Sequence, residues 1–326
     1  MSDRLSSAPE PASSPRVVFK FGGTTVGTPE RFRTVISILE EAAVSERIVV
    51  IVSALSQVSR RLSSAVETIA TQTDGATRVE DLVDTLRTRH MGQAEAVLSP
   101  ARRDDYDVLL TERLRALRRY FVEIGRDGFT PAVRDAVLAT GEQLSVPMVV
   151  LALRDAGLEA LHGDATRLVV TDNAFGEANV RRSATAERVR TWYRNLASGT
   201  VPVVAGFIGA TETGTTTTLG FEGSDYSASL FARILGAGCV TRYTDVDGLY
   251  PNDPAAHDAA ERLDSLSMEE AFAMTESGDL GMHPKTLRPL TEADIPMQVR
   301  SILEPERAGT CILPEATEPE ALWRPS

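Results

Sequence analysis

The sequence predicts an α/β fold built on a largely parallel sheet with helices on both faces, and three features carry that prediction. A strand, a glycine turn, a helix and a second strand follow one another between Arg16 and Val52, which makes a βαβ unit. Helix-period stretches fill residues 60 to 140 with no convincing strand among them. A second strand-to-helix passage runs from Val201 to Leu235. With 326 residues, the chain suits two domains or one large α/β unit, and either buries a full core.

The elements follow in order. Val17-Val18-Phe19-Lys20-Phe21 reads as a buried strand that stops at Gly22-Gly23-Thr24-Thr25. Thr28 as N-cap and Pro29 at the first helical position open a helix whose Phe32, Val35, Ile36 and Leu39 share one face. Ile48 to Val52 forms the next strand. Leu110, Leu114, Leu117 and Phe121 mark a helix in the excursion that follows, with polar turns at Thr73 to Gly75 and Asp127 to Pro131. A further helix is expected to begin near Gly141 and continue through Val146 to Leu153, and Leu168-Val169-Val170 reads as a short strand. Val201 to Phe207 is a strong strand leading to a hairpin turn near Glu212-Thr213-Gly214 and a polar strand, Thr215 to Leu219. Gly223-Ser224-Asp225 opens a helix, with Ser224 the expected N-cap and Ala228, Phe231, Ala232 and Leu235 on one face. The last αβ portion covers Met268 to Met274, Leu287 to Leu290 and Met297 to Ile302.

Composition narrows the function classes. The 34 basic and 46 acidic residues give a net charge of −12, and no basic stripe suits a phosphate backbone, so nucleic acid is not an expected partner. Cys239 and Cys311 match neither a disulfide framework nor a metal-ligand spacing. The four histidines, His90, His162, His257 and His283, stand apart from one another, so no protein-held metal is expected. The apolar run Ile48 to Leu55 is far shorter than the roughly 20 residues that cross a bilayer, and no membrane span is expected. Residues 1–15 are rich in Ser, Pro and Ala with no apolar core of a signal peptide, which points to a disordered tail and a cytoplasmic location. Lys20 and Lys285 are the two lysines of the whole chain.

Three segments carry candidate chemistry. Gly22 and Gly23 sit between a buried strand and a helix start, where backbone N–H groups and the helix dipole favour an anion, and Lys20 would add a point charge. A tight turn with a solvated lysine is the bland alternative. The P-loop, the dinucleotide glycine pattern and the protein-kinase loops are all absent. The second segment, Thr215 to Asp225, makes another anion-ready turn. The third, Thr244 to Pro254, follows a strand and is dense in Asp, Gly, Pro and Tyr, so it reads as either a site or a rigid surface turn. Glu142, expected at a helix start, either reads a substrate ammonium or caps.

These residues together carry a resemblance. Lys20-Phe21-Gly22-Gly23-Thr24-Thr25-Val26 is similar to the KFGGTSV signature of aspartate kinases in the amino-acid kinase family. Gly141-Glu142 with Leu144-Ser145 resembles GExLS, Gly206-Phe207-Ile208-Gly209 resembles GFIG, Thr217 to Asp225 resembles TTLGRGGSD, and Thr244 to Pro254 resembles TDVxGxYxxDP. His283-Pro284 and Arg307-Ala308-Gly309-Thr310 match later blocks, all in the family's order across residues 16–313. The resemblance implies an αβα sandwich over residues 16–313, with an acceptor lobe at about 16–200, a nucleotide lobe at about 201–313 and a short tail at 314–326. It also implies ATP-dependent phosphorylation of the aspartate side-chain carboxylate, with Mg²⁺ bridging the phosphates, and a homodimer through the kinase domain is expected. By carry-over, Lys20 stabilises the transferring phosphoryl group and Asp225 orients it. Gly22, Gly23, Thr244, Asp245, Tyr250 and Asp253 hold the nucleotide. Ser53, Ser59, Arg60, Glu142, Phe221, Glu222, Gly223 and Ser224 surround the amino-acid-like acceptor, with Glu142 on its amine.

The chain departs from the family at three cations. Phe221 stands where the family's arginine pairs with the substrate α-carboxylate, and Glu222 replaces the next glycine. Leu280 and Ala255 stand where the family has a lysine and an arginine. An unpaired α-carboxylate weakens aspartate binding by several kcal/mol, so Arg60 and Lys285 are the candidate replacements. Two further functions stay open: a catalytically weak nucleotide-binding or regulatory protein, and a kinase whose acceptor lacks a free α-carboxylate. About 13 residues follow Leu313, too few for the paired ACT domains common in aspartate kinases, so feedback control through such domains is not expected.

Overall fold

The computed structural model describes residues 16–69, 75–250, 261–278, 280 and 282–314. The expected tails lie outside these residues except for Pro314, as do Thr73 and Asp74 of the first expected turn. Strand β1 (Arg16–Phe21) is apolar at every position but its first and Lys20 and is buried after Arg16. Helix α1 (Pro29–Ser45) starts as its signals dictate: Thr28 accepts the N–H of Arg31 at 3.4 Å, and Phe32, Val35 and Leu39 bury one face. Strand β2 (Arg47–Val52) pairs parallel with β1 from Arg16↔Arg47 to Phe21↔Val52, completing the βαβ unit.

Helices α2 (Val58–Ile69), α3 (Gly75–Val97), α4 (Pro100–Asp127) and α5 (Pro131–Asp155) form the excursion. The α4 face is the predicted one: Leu110, Leu114, Leu117 and Phe121 are buried, joined by Tyr106 and Ile124. Helix α5 begins ten residues before the expected start near Gly141, because Thr130 accepts the Val133 N–H at 3.2 Å and Pro131 takes the first helical position. Gly141 is no breaker here. A Cβ at Gly141 would lie 2.9 Å from the Cβ of Ala54, so the glycine lets the helix pass close to the turn after β2. Helix α5 is long and apolar enough to cross a membrane, yet 89% of its apolar window is buried inside the protein, so it serves as a core helix.

The chain continues through β3 (Ala160–Gly163), a short helix α6 (Ala165–Leu168) and β4 (Val170–Thr171). The strand expected at Leu168 to Val170 is therefore displaced: Asp164 accepts the Thr166 N–H at 3.0 Å and caps a helical turn that consumes Leu168. After α7 (Arg182–Arg194), β5 (Val201–Ala205) stops two residues short of the expected Phe207. Gly206 lies against Ser224, and Phe207 takes φ 69, which turns the chain into the hairpin β6 (Ile208–Thr211) and β7 (Thr216–Thr218). Helix α8 (Gly223–Leu235) then starts behind Glu222, which is left-handed at φ 53, so Ser224 is a buried first-turn residue and not the N-cap. Gly236 closes the helix in the left-handed region at φ 62.

Strand β8 (Cys239–Thr244) precedes β9 (Ser265–Ser267), α9 (Met268–Ser277), α10 (Pro284–Thr291), β10 (Met297–Ser301) and β11 (Thr310–Leu313). The main sheet runs β3-β5-β2-β1-β8-β10-β11-β9, parallel except where β11 meets β10, and β4-β6-β7 form a small second sheet. Strand β1 is flanked by β2 on one side and β8 on the other, so the strand order reverses direction at β1. A parallel sheet binds ligands outside the carboxyl ends of its strands at such a switch point. That end of β1 is Lys20-Phe21-Gly22-Gly23.

Candidate active site

A cavity of about 740 Å³ opens at this switch point. Its β1 side is formed by Lys20, Gly22, Gly23 and Thr24, and the turn after β2 contributes Ser53 to Gln57. Ser59 and Arg60 reach it from α2, and Arg134, Leu138 and Glu142 from α5. Phe221, Glu222, Gly223, Ser224 and Asp225 line it from the start of α8, and Arg242, Tyr243 and Thr244 from β8. Asp245 and Tyr250 are not among its lining residues: Asp245 is exposed, and the Tyr250 hydroxyl donates to Asp247 at 2.5 Å. Asp253 lies outside the described residues.

The glycine turn is shaped by a close approach to β2. A Cβ on Gly23 would lie 2.7 Å from the carbonyl oxygen of Ala54, whereas one on Gly22 would meet only the Lys20 ammonium at an ordinary 3.5 Å. The turn is held by the N–H of Thr25 donating to Gly22 O at 3.0 Å and that of Ser56 donating to Gly23 O at 3.0 Å. Gly23 therefore fixes the distance between the two turns that floor the cavity.

Lys20 is buried and donates from Nζ to Asp225 Oδ2 at 2.8 Å. Burial pulls its pKa below the usual lysine range, against the opposing pull of Asp225. Burial raises the Asp225 carboxyl, but the charges of Arg242 and Lys20 outweigh it and hold Asp225 below its ordinary value. Arg242 Nε stands 3.0 Å from Asp225 Oδ1, so one carboxylate carries two cations. Glu222 accepts the backbone N–H of His283 at 2.5 Å, and burial pushes its carboxyl up.

On the opposite wall, Glu142 sits midway along α5 and not at a helix start, which removes capping as its role. Its Oε1 accepts the N–H of Ala54 at 3.3 Å, and Oε2 has no hydrogen-bond partner among the described residues. Burial pushes its carboxyl up to about 8. A buried carboxyl that lines the cavity and has one oxygen without a hydrogen-bond partner is suited to a cation such as an ammonium.

Phe221 is 75% exposed with its ring edge toward His283, so the position carries no buried charge. Lys285 does not reach the cavity: its ammonium donates to the Leu219 carbonyl and lies 5.1 Å from the centre of the Tyr226 ring. Leu280 is buried in the core. Two cations that the sequence reading passed over, Arg134 and Arg242, line the cavity. The available signal for Arg242 was a charged residue in a strand between the buried Val240-Thr241 and Tyr243.

Residues 15–301 match the amino acid kinase family. The chain is 32% identical over 306 residues to the lysine-sensitive aspartokinase 3 of Escherichia coli K12, covering 93% of this chain and 65% of that protein. It is 33% identical over 307 residues to the chloroplastic bifunctional aspartokinase/homoserine dehydrogenase of Daucus carota, covering 92% of this chain and 32% of that one. The crystal structure of E. coli aspartokinase III in complex with aspartate and ADP superposes with a TM-score of 0.84 at 30% identity, covering 93% of this chain and 65% of that chain. Its complex with lysine and aspartate gives 0.80, again at 30% identity and the same coverage. The chain thus spans between about a third and two thirds of the length of these relatives.

Proposed function

Because the chain belongs to the amino acid kinase family, we propose that it transfers the γ-phosphoryl group of ATP to the side-chain carboxylate of aspartate or a close analogue, giving an acyl phosphate and ADP. The observation that carries the reading is the pairing, across one cavity, of the Lys20–Asp225 ion pair with the half-satisfied Glu142 carboxyl. One wall suits phosphate and the other suits an ammonium.

The chemistry asks little of a base, since the acceptor carboxylate is already ionised and attacks as an anion. One carboxylate oxygen bonds to the γ-phosphorus as the bond to the β,γ-bridging oxygen breaks, and the electron pair leaves on ADP. No proton moves. Lys20 meets the negative charge on the transferring oxygens, and Asp225 holds the ammonium in place at 2.8 Å. As the acceptor binds, Glu142 receives its ammonium and releases its own proton to solvent, because an opposite charge favours the ionised form. The half of the cavity built from α2, α5 and the turn after β2 takes the acceptor, and the half around β8 takes the nucleotide.

A divalent cation fits only as a companion of the nucleotide. Among the described residues no group of three or more His, Cys, Asp or Glu could hold a metal, and the carboxylates lining the cavity are Glu142, Glu222 and Asp225. Asp225 or Glu222 would help hold a Mg²⁺ ion that arrives with the nucleotide, and the ion would supply neutralisation of phosphate charge.

Phe221 and Glu222 favour an acceptor whose α-carboxylate is masked or absent, since an apolar ring and an acid replace a carboxylate-binding surface. Arg60, exposed on α2 and lining the cavity, serves a free α-carboxylate if aspartate is used. ADP release measured with aspartate, its α-amide and β-alanine tests the reading. The α-amide or β-alanine is expected to exceed aspartate in kcat/KM. Turnover of aspartate at about 10⁴ M⁻¹s⁻¹ or more, unchanged in Arg60→Ala, would contradict the masked-acceptor assignment. ADP release with none of the three would contradict the proposed class of acceptor.

A further inference from the structure

Arg242 lies beside Lys20 in the sheet, where their Cα atoms are register partners in the parallel pairing of β8 with β1. Partners in a parallel register project from the same face, so ammonium and guanidinium rise together toward the start of α8. They meet the same carboxylate from two sides, Lys20 Nζ at 2.8 Å from Asp225 Oδ2 and Arg242 Nε at 3.0 Å from Oδ1. The two contacts differ in kind. Lys20 donates a hydrogen bond, whereas Arg242 Nε and Asp225 Oδ1 each lack a hydrogen-bond partner among the described residues despite their proximity. Charge alone holds the guanidinium there, and its side chain is only 16% exposed.

A buried guanidinium with an unused donor is costly unless an anion completes its partners. Lys20, Arg242, Asp225 and Glu222 together are neutral when all four are ionised, so the quartet presents no net negative charge to an incoming polyphosphate. Phe221, where the resemblance placed a cation, carries none, and Arg242 brings a cation to the cavity from a different element, strand β8.

We infer that Arg242 is the second cation of the phosphoryl-transfer site and that with Lys20 it brackets the γ-phosphoryl group. This rests on the phosphotransfer reading above. As the acceptor oxygen bonds to phosphorus and the bridging bond breaks toward ADP, charge gathers on the three non-bridging oxygens. A guanidinium presents a planar fork of donors to such oxygens, which an ammonium alone cannot do. Arg242 touches the reacting group and is therefore catalytic, while Asp225 is the positioning residue for both cations.

The test uses the full chain with Arg242→Gln and Arg242→Lys, with affinities for the β,γ-imido analogue of ATP and for ADP measured by calorimetry in Mg²⁺. Arg242→Gln is expected to weaken the ATP analogue by about 10-fold or more and ADP by less than about twofold, because only the former carries a γ-phosphoryl group. With an acceptor that is turned over, kcat falls by about 100-fold while the acceptor KM stays within about threefold. Arg242→Lys, which keeps a charge beside Asp225, falls between and carries the test if the glutamine variant melts. Equal weakening of both nucleotides, no weakening, or a raised acceptor KM with kcat intact would overturn the assignment. Failure of the unaltered protein to bind either nucleotide would overturn the phosphotransfer reading itself. Binding without turnover of any acceptor leaves the comparison of the two nucleotides to decide the role of Arg242.

Discussion

Glu142, midway along the core helix α5, accepts the backbone N–H of Ala54 in the turn after β2 at 3.3 Å, and its second oxygen has no partner among the described residues. The contact ties the acceptor wall of the cavity to the sheet. It also stores a pH dependence. The folded protein keeps a proton on Glu142 up to about 8, whereas the unfolded chain releases it near the ordinary 4.5. Stability from this group is therefore fully present below about 4.5, declines as pH rises and is lost once pH passes about 8. Glu142→Gln removes the titration. Melting temperatures between pH 4 and 9 should show the variant gaining on the unaltered protein as pH rises; a difference that does not vary with pH contradicts the assignment.

Lys20→Ala removes the ammonium that meets the transferring group and leaves Asp225 paired with Arg242. The expected result is a fall in kcat of at least about 100-fold with the far-ultraviolet spectrum unchanged. Turnover close to that of the unaltered enzyme would remove Lys20 from the chemistry.

The two glycines of the first turn should separate in a denaturant titration. A methyl at Gly23 meets the Ala54 carbonyl at 2.7 Å, and backbone on both sides leaves little room to yield, so Gly23→Ala should lose about 2 kcal/mol. Gly22→Ala places its methyl at an ordinary 3.5 Å from Lys20 Nζ and should fold with little loss. Equal losses would mean that the close approach at Gly23 does not constrain the turn.

Asp135 is fully buried on α5, and its Oδ2 accepts the N–H groups of Gly176 at 2.8 Å and Thr218 at 2.7 Å. It fastens β7, and through it the loop that starts α8, to the core helix. Asp135→Leu orphans one buried and one part-buried donor and should cost about 2 kcal/mol, while Asp135→Asn retains an acceptor oxygen and should cost less. Urea midpoints of the two variants check the order, and the reverse order would refute it.

The βαβ start and the α4 face were legible because their signals are local: Thr28 and Pro29 for α1, and the spacing of Leu110, Leu114, Leu117 and Phe121 for α4. Helix α5 was misread at its start because Gly141 looks like a terminus until Ala54 is known to press against it. Ser224 has the side chain of an N-cap, but the left-handed backbone of Glu222 takes that place, and no local pattern announces it. The motif-bearing residues Lys20, Gly22, Gly23, Glu142 and Asp225 are far apart in sequence and line one cavity. Arg134 and Arg242 were overlooked because their position depends on which strand lies beside β1 and on where α5 begins. The order β2-β1-β8 is a long-range fact that no single segment encodes.

The cavity is proposed to form an acyl phosphate at the expense of ATP. Trapping with hydroxylamine measures it directly, since an acyl phosphate is converted to a hydroxamate that a non-reactive complex cannot yield. With ATP, Mg²⁺ and a panel of aspartate analogues, a hydroxamate is predicted that requires ATP and is lost in Lys20→Ala. ATP binding without hydroxamate from any member of the panel would contradict the claim and favour a nucleotide-binding role without carboxylate phosphorylation.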